Sequence, residues 1–220
     1  MHRLVSRSLA IAVLAAGGLV GLGPSVGVAQ TYTWVGSSST NFNDPANYSS
    51  AFTFPTSGTL RLTSGTAIPN APTLTASATA AAVVFDQASG FRFNSSDVAA
   101  VLRLTGSTPL SKSNNVTGTI GANIALGGSG VQTFNLPDTT LLSGTISGGN
   151  SGDTLWIRAD WGYANPSPTF AHTGNTFAST VRLGGSIAGY GGPHQVTTNV
   201  QSVGMTGSAS SLGVSGTIVM

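Results

Sequence analysis

The sequence predicts an all-β solenoid, a stack of short strands laid coil upon coil in one direction. Three observations predict it. Short runs alternating apolar and polar residues recur throughout, and between Phe91 and Ala159 most neighbouring strand centres lie about 10 to 12 residues apart. The chain has 30 glycines among 220 residues, many at the ends of those runs, where a stacked coil needs tight corners. Charged residues make up 6% of the chain. In stacked coils like sits above like, so a charge builds a ladder of repulsion, whereas Thr, Ser and Asn bond along the stack. After residue 29 no window holds a sustained helical period, and Ala76 to Val84, the nearest to one, is rich in Ser and Thr. A β-sandwich of antiparallel strands fits the same spacing and stands as the alternative.

The elements follow in order. Arg3 and Arg7 precede an apolar stretch from Leu9 to Leu22, Pro24 breaks it, and Gly27 and Ala29 stand at the −3 and −1 positions of a cut before Gln30. That is the order of a secretory signal peptide, so residues 1–29 are assigned to export and the remainder to the cell surface or the medium. The stretch falls short of the ~20 residues of a membrane span, and no membrane insertion of the mature segment is expected. Residues 30–80 are expected to cap the stack. Trp34, Phe42, Tyr48, Phe52 and Phe54 lie there, and an open solenoid end exposes backbone groups that must be covered.

Residues 81–220 are expected to form the coils, with two or three strands in each and roughly six coils in all. Across the mature chain, strands are predicted at Tyr32–Val35, Thr59–Thr63, Ala82–Asp86, Phe91–Phe93, Val101–Thr105, Asn123–Leu126 and Gln132–Leu136. Others are predicted at Leu142–Ile146, Thr154–Ala159, Thr180–Leu183, Gln195–Thr198 and Thr217–Val219, and Val116–Ile120 is a further candidate. The last run stops inside a strand pattern. This predicts either continuation of the protein into further coils, the favoured reading, or a terminal edge open to self-association.

Three stretches resemble the autotransporter-associated β-strand repeat proteins, large exported proteins of environmental bacteria. "TYTWVGSSSTNFNDPANYSS" (Thr31 to Ser50) resembles the family's opening segment, with a Trp-x-Gly start and a later Asn-aromatic pair. "HTGNTFASTVRLGGS" (His172 to Ser186) resembles the repeat, and "GSASSLGVSGTIVM" (Gly207 to Met220) the stretch that follows it. The resemblance implies a right-handed parallel β-helix and a surface-displayed or secreted passenger of structural or adhesive kind. It supplies no catalytic residues. Members of the family usually continue into more repeats and end in a membrane barrel or a sorting tail.

Composition narrows the function classes. Cleavage before Gln30 leaves 191 residues with six basic and six acidic groups. The basic residues stand singly, at Arg61, Arg92, Arg103, Lys112, Arg158 and Arg182. Nucleic acid and anionic membranes call for clustered cations, so both are set aside as partners. There is no cysteine, so packing and backbone bonding must hold the exported fold without disulfides.

Catalytic chemistry finds little support. The chain has no Glu, and Asp153 and Asp160 flank one predicted strand, about 20 Å apart, as turn-capping residues would. Two mature histidines, His172 and His194, make no metal set without Cys or Glu. "GGNSGD" (Gly148 to Asp153) misses the calcium nonapeptide by one position and reads as a corner. The Gly-x-Ser-x-Gly at Gly23 to Gly27 falls in the signal peptide, and Gly184 to Gly192 lacks the dinucleotide order. No catalytic, cofactor or metal residue is therefore assigned. Trp161 and Tyr163 are the candidate carbohydrate contacts, because aromatic faces stack on sugar rings. The expected role is that of an exported, non-enzymatic structural or adhesive passenger, with an unidentified surface or glycan as partner. The alternative is a carbohydrate-binding or polysaccharide-cleaving β-helix.

Overall fold

The computed structural model describes residues 30–64, 71–87, 90–112, 117–136, 140–150, 152–158, 168–172, 174–176, 180–183, 199–200 and 218–219. They form a parallel β-helix. Strand β1 (Thr31–Trp34) precedes four coils of three strands each. These are β2 (Thr59–Ser64), β3 (Thr73–Leu74) and β4 (Ala78–Ala80), then β5 (Ala82–Gln87), β6 (Phe91–Ser95) and β7 (Val101–Leu104). The third holds β8 (Leu110–Lys112), β9 (Gly118–Ile120) and β10 (Asn123–Leu126), and the fourth β11 (Val131–Asn135), β12 (Thr140–Leu142) and β13 (Ile146–Gly148). Strands β14 (Thr154–Arg158), β15 (Thr169–Phe170), β16 (Thr180–Leu183), β17 (Asn199–Val200) and β18 (Ile218–Val219) extend the stack.

Each coil contributes one strand to each of three sheets. The first runs β1-β2-β5-β8-β11-β14-β16-β18, the second β3-β6-β9-β12-β15-β17 and the third β4-β7-β10-β13. Every pairing between these strands is parallel, as in Thr59 with Ala82, Phe91 with Gly118 and Ile124 with Ile146. Parallel stacking in register places inward residue over inward residue. In the first sheet the inner column reads Tyr32, Leu60, Val83, Leu110, Phe134 and Ile157, all buried. In the third sheet Ala78, Leu102, Ile124 and Ile146 do the same. The alternation that predicted strands is thus the alternation between core and solvent, and the antiparallel sandwich is excluded.

The aromatic segment closes the N-terminal end. Trp34 meets Tyr48 edge-on with centroids 5.2 Å apart, Tyr48 meets Phe52 at 4.7 Å, and Phe42 packs on Phe93 at 4.8 Å. Asn47, fully buried, ties the segment together. Its Oδ1 accepts from Ser38 N and Ser39 N, and its Nδ2 donates to Ser39 Oγ and Asn41 O. The Tyr48 hydroxyl donates to Phe42 O at 3.0 Å, and burial pushes its pKa above the usual phenol range.

The cap is shorter than the sequence suggests. Thr59 to Ala80, expected within it, already makes the first full coil. Even the cap follows the coil's path: β1 pairs with β2, Asn41 bridges in parallel to Thr73, and Thr56 N donates to Thr79 O at 2.9 Å.

Other differences have local causes. Leu142–Ile146, expected as one strand, is a corner between β12 and β13. Ser143 N and Gly144 N both donate to Ile120 O there, yet burial still alternates through the bend, so the pattern imitates a strand. Ala76 to Val84, the stretch nearest to a helical period, contributes β4 and the first half of β5. Strands β3, β4, β8 and β15 span only two or three residues, too few for an alternation to be legible. Among the described residues the four complete three-strand coils lie between Thr59 and Gly148, and the first sheet, in which each coil places one strand, has six strands from Ala82 onward, β5, β8, β11, β14, β16 and β18. Residues 1–29, expected as a signal peptide, and the expected strand Gln195–Thr198 lie outside the described residues.

Candidate functional site

The residues singled out by sequence fall into three groups. Trp161, Tyr163, Asp160, His194 and Gly184 to Gly192 lie outside the described residues. Asp153 and His172 serve corners. Trp156 faces outward, because Leu155 and Ile157 on either side of it are fully buried.

Asp153 is an acceptor hub. Its Oδ1 accepts from Gly130 N at 2.7 Å, and its Oδ2 from Asn150 N at 2.7 Å and Asn150 Nδ2 at 3.0 Å. The backbone N–H of Asn150, then that of Gly130, hold its carboxyl below the usual carboxylate range. It joins the turn before β11 to the turn before β14, so one carboxylate fastens two successive coils. His172 Nδ1 accepts from Gly174 N at 2.8 Å, which leaves the proton of the neutral ring on Nε2. Gly148 and Gly149 have φ of +85° and +71°, so the Gly-Gly pair is a corner in left-handed backbone. No group of three metal-ligating side chains exists among the described residues.

Four charged side chains among the described residues stand on the outer face of the first sheet: Arg61, Asp86, Arg158 and Arg182. Arg61 and Asp86, on adjacent strands, form an ion pair. Further along, the Arg158 and Arg182 guanidinium carbons each lie 4.5 Å from the Trp156 ring centroid. Arg182 stands opposite Trp156 in register, and Arg158 is two residues along the same strand and face.

Among the described residues, one charged side chain stands in an inner column of the coils. Lys112 follows Leu62 and Phe85 in an inner column and is 2% exposed. Its Nζ lies 3.4 Å from the buried Thr140 Oγ1 and 5.3 Å from the centroid of Phe91. Room for this comes from Gly118, above Phe91 in the second sheet, where any Cβ would fall within the Phe91 ring. The Leu-x-Lys alternation of β8 was the only sequence signal that Lys112 shares a face with Leu110.

Among the described residues, clefts indent the outer surface, and two of them flank the third sheet. The first, about 460 Å³, lies between the cap and the outer face of the third sheet. Phe54 and Pro55 form one wall, and Ser77, Thr79, Arg103 and Ala125 line the rest. Its depth follows from side-chain size: Thr79 and Ala125 flank Arg103 in register and are short, while the cap rises beside them. The second cleft, about 430 Å³, is lined by Ser95, Val98, Asn123, Thr145 and His172 among others. There Asn123 is fully engaged. Its Nδ2 donates to Val98 O and Ala100 O, and its Oδ1 accepts from Thr145 N and Thr145 Oγ1. That cleft is a corner clamped between coils.

Comparison of the chain with protein-family profiles, with characterised proteins and with solved structures finds no match.

Proposed function

We propose that the chain is an exported, non-enzymatic structural or adhesive segment, a rigid spacer whose neutral outer face makes weak, repeated contacts. One observation carries this reading: side chains bond from coil to coil at the corners. Asn43 Oδ1 accepts from Thr75 N and Ala76 N, Asn123 from Thr145 N, Asn175 from Ile146 N, and Asp153 from Gly130 N. Each bond resists shear between neighbouring coils and consumes polar groups that a catalytic site would need free. The outward columns mix small and hydroxylated residues with single arginines, as in Thr79, Arg103, Ala125 and Ser147, a surface suited to multivalent rather than tight contact. The signal-like segment and the resemblance to autotransporter-associated repeats support export and display.

The test expresses the full chain in a Gram-negative host. The expected result is a product whose N-terminus is Gln30, found outside the cytoplasm and open to protease added to whole cells. Adhesion of those cells to glycan-coated or abiotic surfaces should exceed that of control cells. Cytoplasmic retention with Met1 intact overturns the export reading, and export without any gain in adhesion leaves the spacer role alone.

A further inference from the structure

We infer that the cleft between the cap and the third sheet binds a carboxylate-bearing sugar, with Arg103 as its anion contact and Phe54 as its apolar wall. The inference goes beyond the spacer reading, which needs no ligand site. Arg103 is exposed and makes no ion pair among the described residues. It alternates with the buried Leu102 and Leu104, so the strand itself directs it outward into the cleft.

Its orientation is set by a missing side chain. A Cβ at Gly127 would lie 2.6 Å from Arg103 Nε and 2.9 Å from Cγ. The arginine stem therefore lies across Gly127, and its short neighbours Thr79 and Ala125 leave the fork open. A guanidinium held this way offers two parallel N–H donors to one carboxylate.

The opposite wall has the other half of the chemistry. Phe54 is half-buried, stacked on Phe42 at 5.9 Å and edge-on to Phe52 at 4.9 Å, so its position is fixed. The rest of its surface meets the cleft beside Pro55. The Thr79 and Ser77 side chains between the walls supply hydroxyl oxygens. An apolar wall, hydroxyls and one directed cation match a uronate: an apolar ring face, ring hydroxyls and a carboxylate. The volume of about 460 Å³ lies within the range of small-ligand sites. An acidic peptide would satisfy Arg103 but would make no use of the hydroxyls, and a neutral sugar would leave Arg103 unanswered.

The test measures binding of a β-linked mannuronate tetramer to the full chain by calorimetry at low salt. Comparison probes are the β-linked mannose tetramer, which lacks only the carboxylates, and tetraglutamate, which lacks the sugar. The expected result is binding of the mannuronate tetramer above both. Arg103→Ala should weaken it about tenfold or more. Gly127→Ala keeps every charge but displaces the Arg103 stem, and should weaken it by a smaller factor. Arg92→Ala removes an equal charge from the exposed face of β6 and should leave binding unchanged. Equal losses from Arg103→Ala and Arg92→Ala would reduce the effect to diffuse charge and overturn the site. So would equal binding of tetraglutamate or of the mannose tetramer, or no binding of the mannuronate tetramer. None of these outcomes touches export or display, so the site and the spacer role fail separately.

Discussion

Asp153 and Asn47 show how single polar side chains can tie a cysteine-free fold together. Asp153 is ionised in the fold because its oxygens accept the N–H groups of Asn150 and Gly130. Its pKa is lowered, so the stabilisation is present above the unfolded value of about 3.9 and is lost as pH falls through the folded value. Asp153→Asn removes the titrating group and cannot accept on both oxygens. The variant should be less stable at neutral pH, and urea midpoints followed from pH 7 to pH 3 should lose the part of the acid decline that belongs to Asp153. Asn47→Ala should cost about 1–3 kcal/mol in urea unfolding, since Ser38 N and Ser39 N lose their acceptor. Asn47 also sits in an Asn-x-Ser sequon, and its complete burial closes that site to glycosylation in the folded chain. The sequence marked Asp153 as a turn residue correctly. It gave no sign of which two coils the carboxylate joins, because its partners at Gly130 and Asn150 are backbone groups in different turns.

Among the elements, strands were legible in proportion to their length. Those of the first sheet span mostly four to six residues and alternate openly, so β1, β2, β5, β11, β14 and β16 stand close to their expected places. The second and third sheets rely on strands of two to five residues, and the shortest take their conformation from the coil beneath rather than from a local pattern. Gly118 illustrates the difference. In sequence it is one more small residue; in the stack it makes room for the Phe91 ring, which Phe85 stacks on at 4.2 Å and Lys112 overlies. Gly118→Val should therefore cost about 1–3 kcal/mol or more by overpacking. Leu102→Ala, in the column of Ala78, Ile124 and Ile146, should cost about 2–5 kcal/mol by leaving a cavity. Both are read from urea unfolding against the parent chain. A Gly118→Val variant as stable as the parent would mean that the Phe91 ring has room elsewhere.

For the whole molecule, the N-terminal end of the stack is where a sheet edge and the core would stand open without a cover. The first sheet has eight strands, about 34 Å from end to end, and on its β1 side the aromatic cap shields the core. Deleting residues 30–58 should uncover Leu60, Leu62 and Leu74 and free the edge of β2, giving soluble oligomers or aggregate in light scattering where the parent chain shows less association. A monodisperse deletion variant would show that the cap is dispensable. The sequence by itself determined the strand class, the near absence of charge and the aromatic composition of the cap, because alternation and side-chain chemistry are local properties. Only the tertiary structure decided that three strands complete a coil, that the coils begin at Thr59, that Lys112 lies inside and that Phe54 faces the cleft of Arg103. Those are contacts between residues some 20 to 50 positions apart, and they are fixed by the register of parallel stacking, which no local pattern encodes.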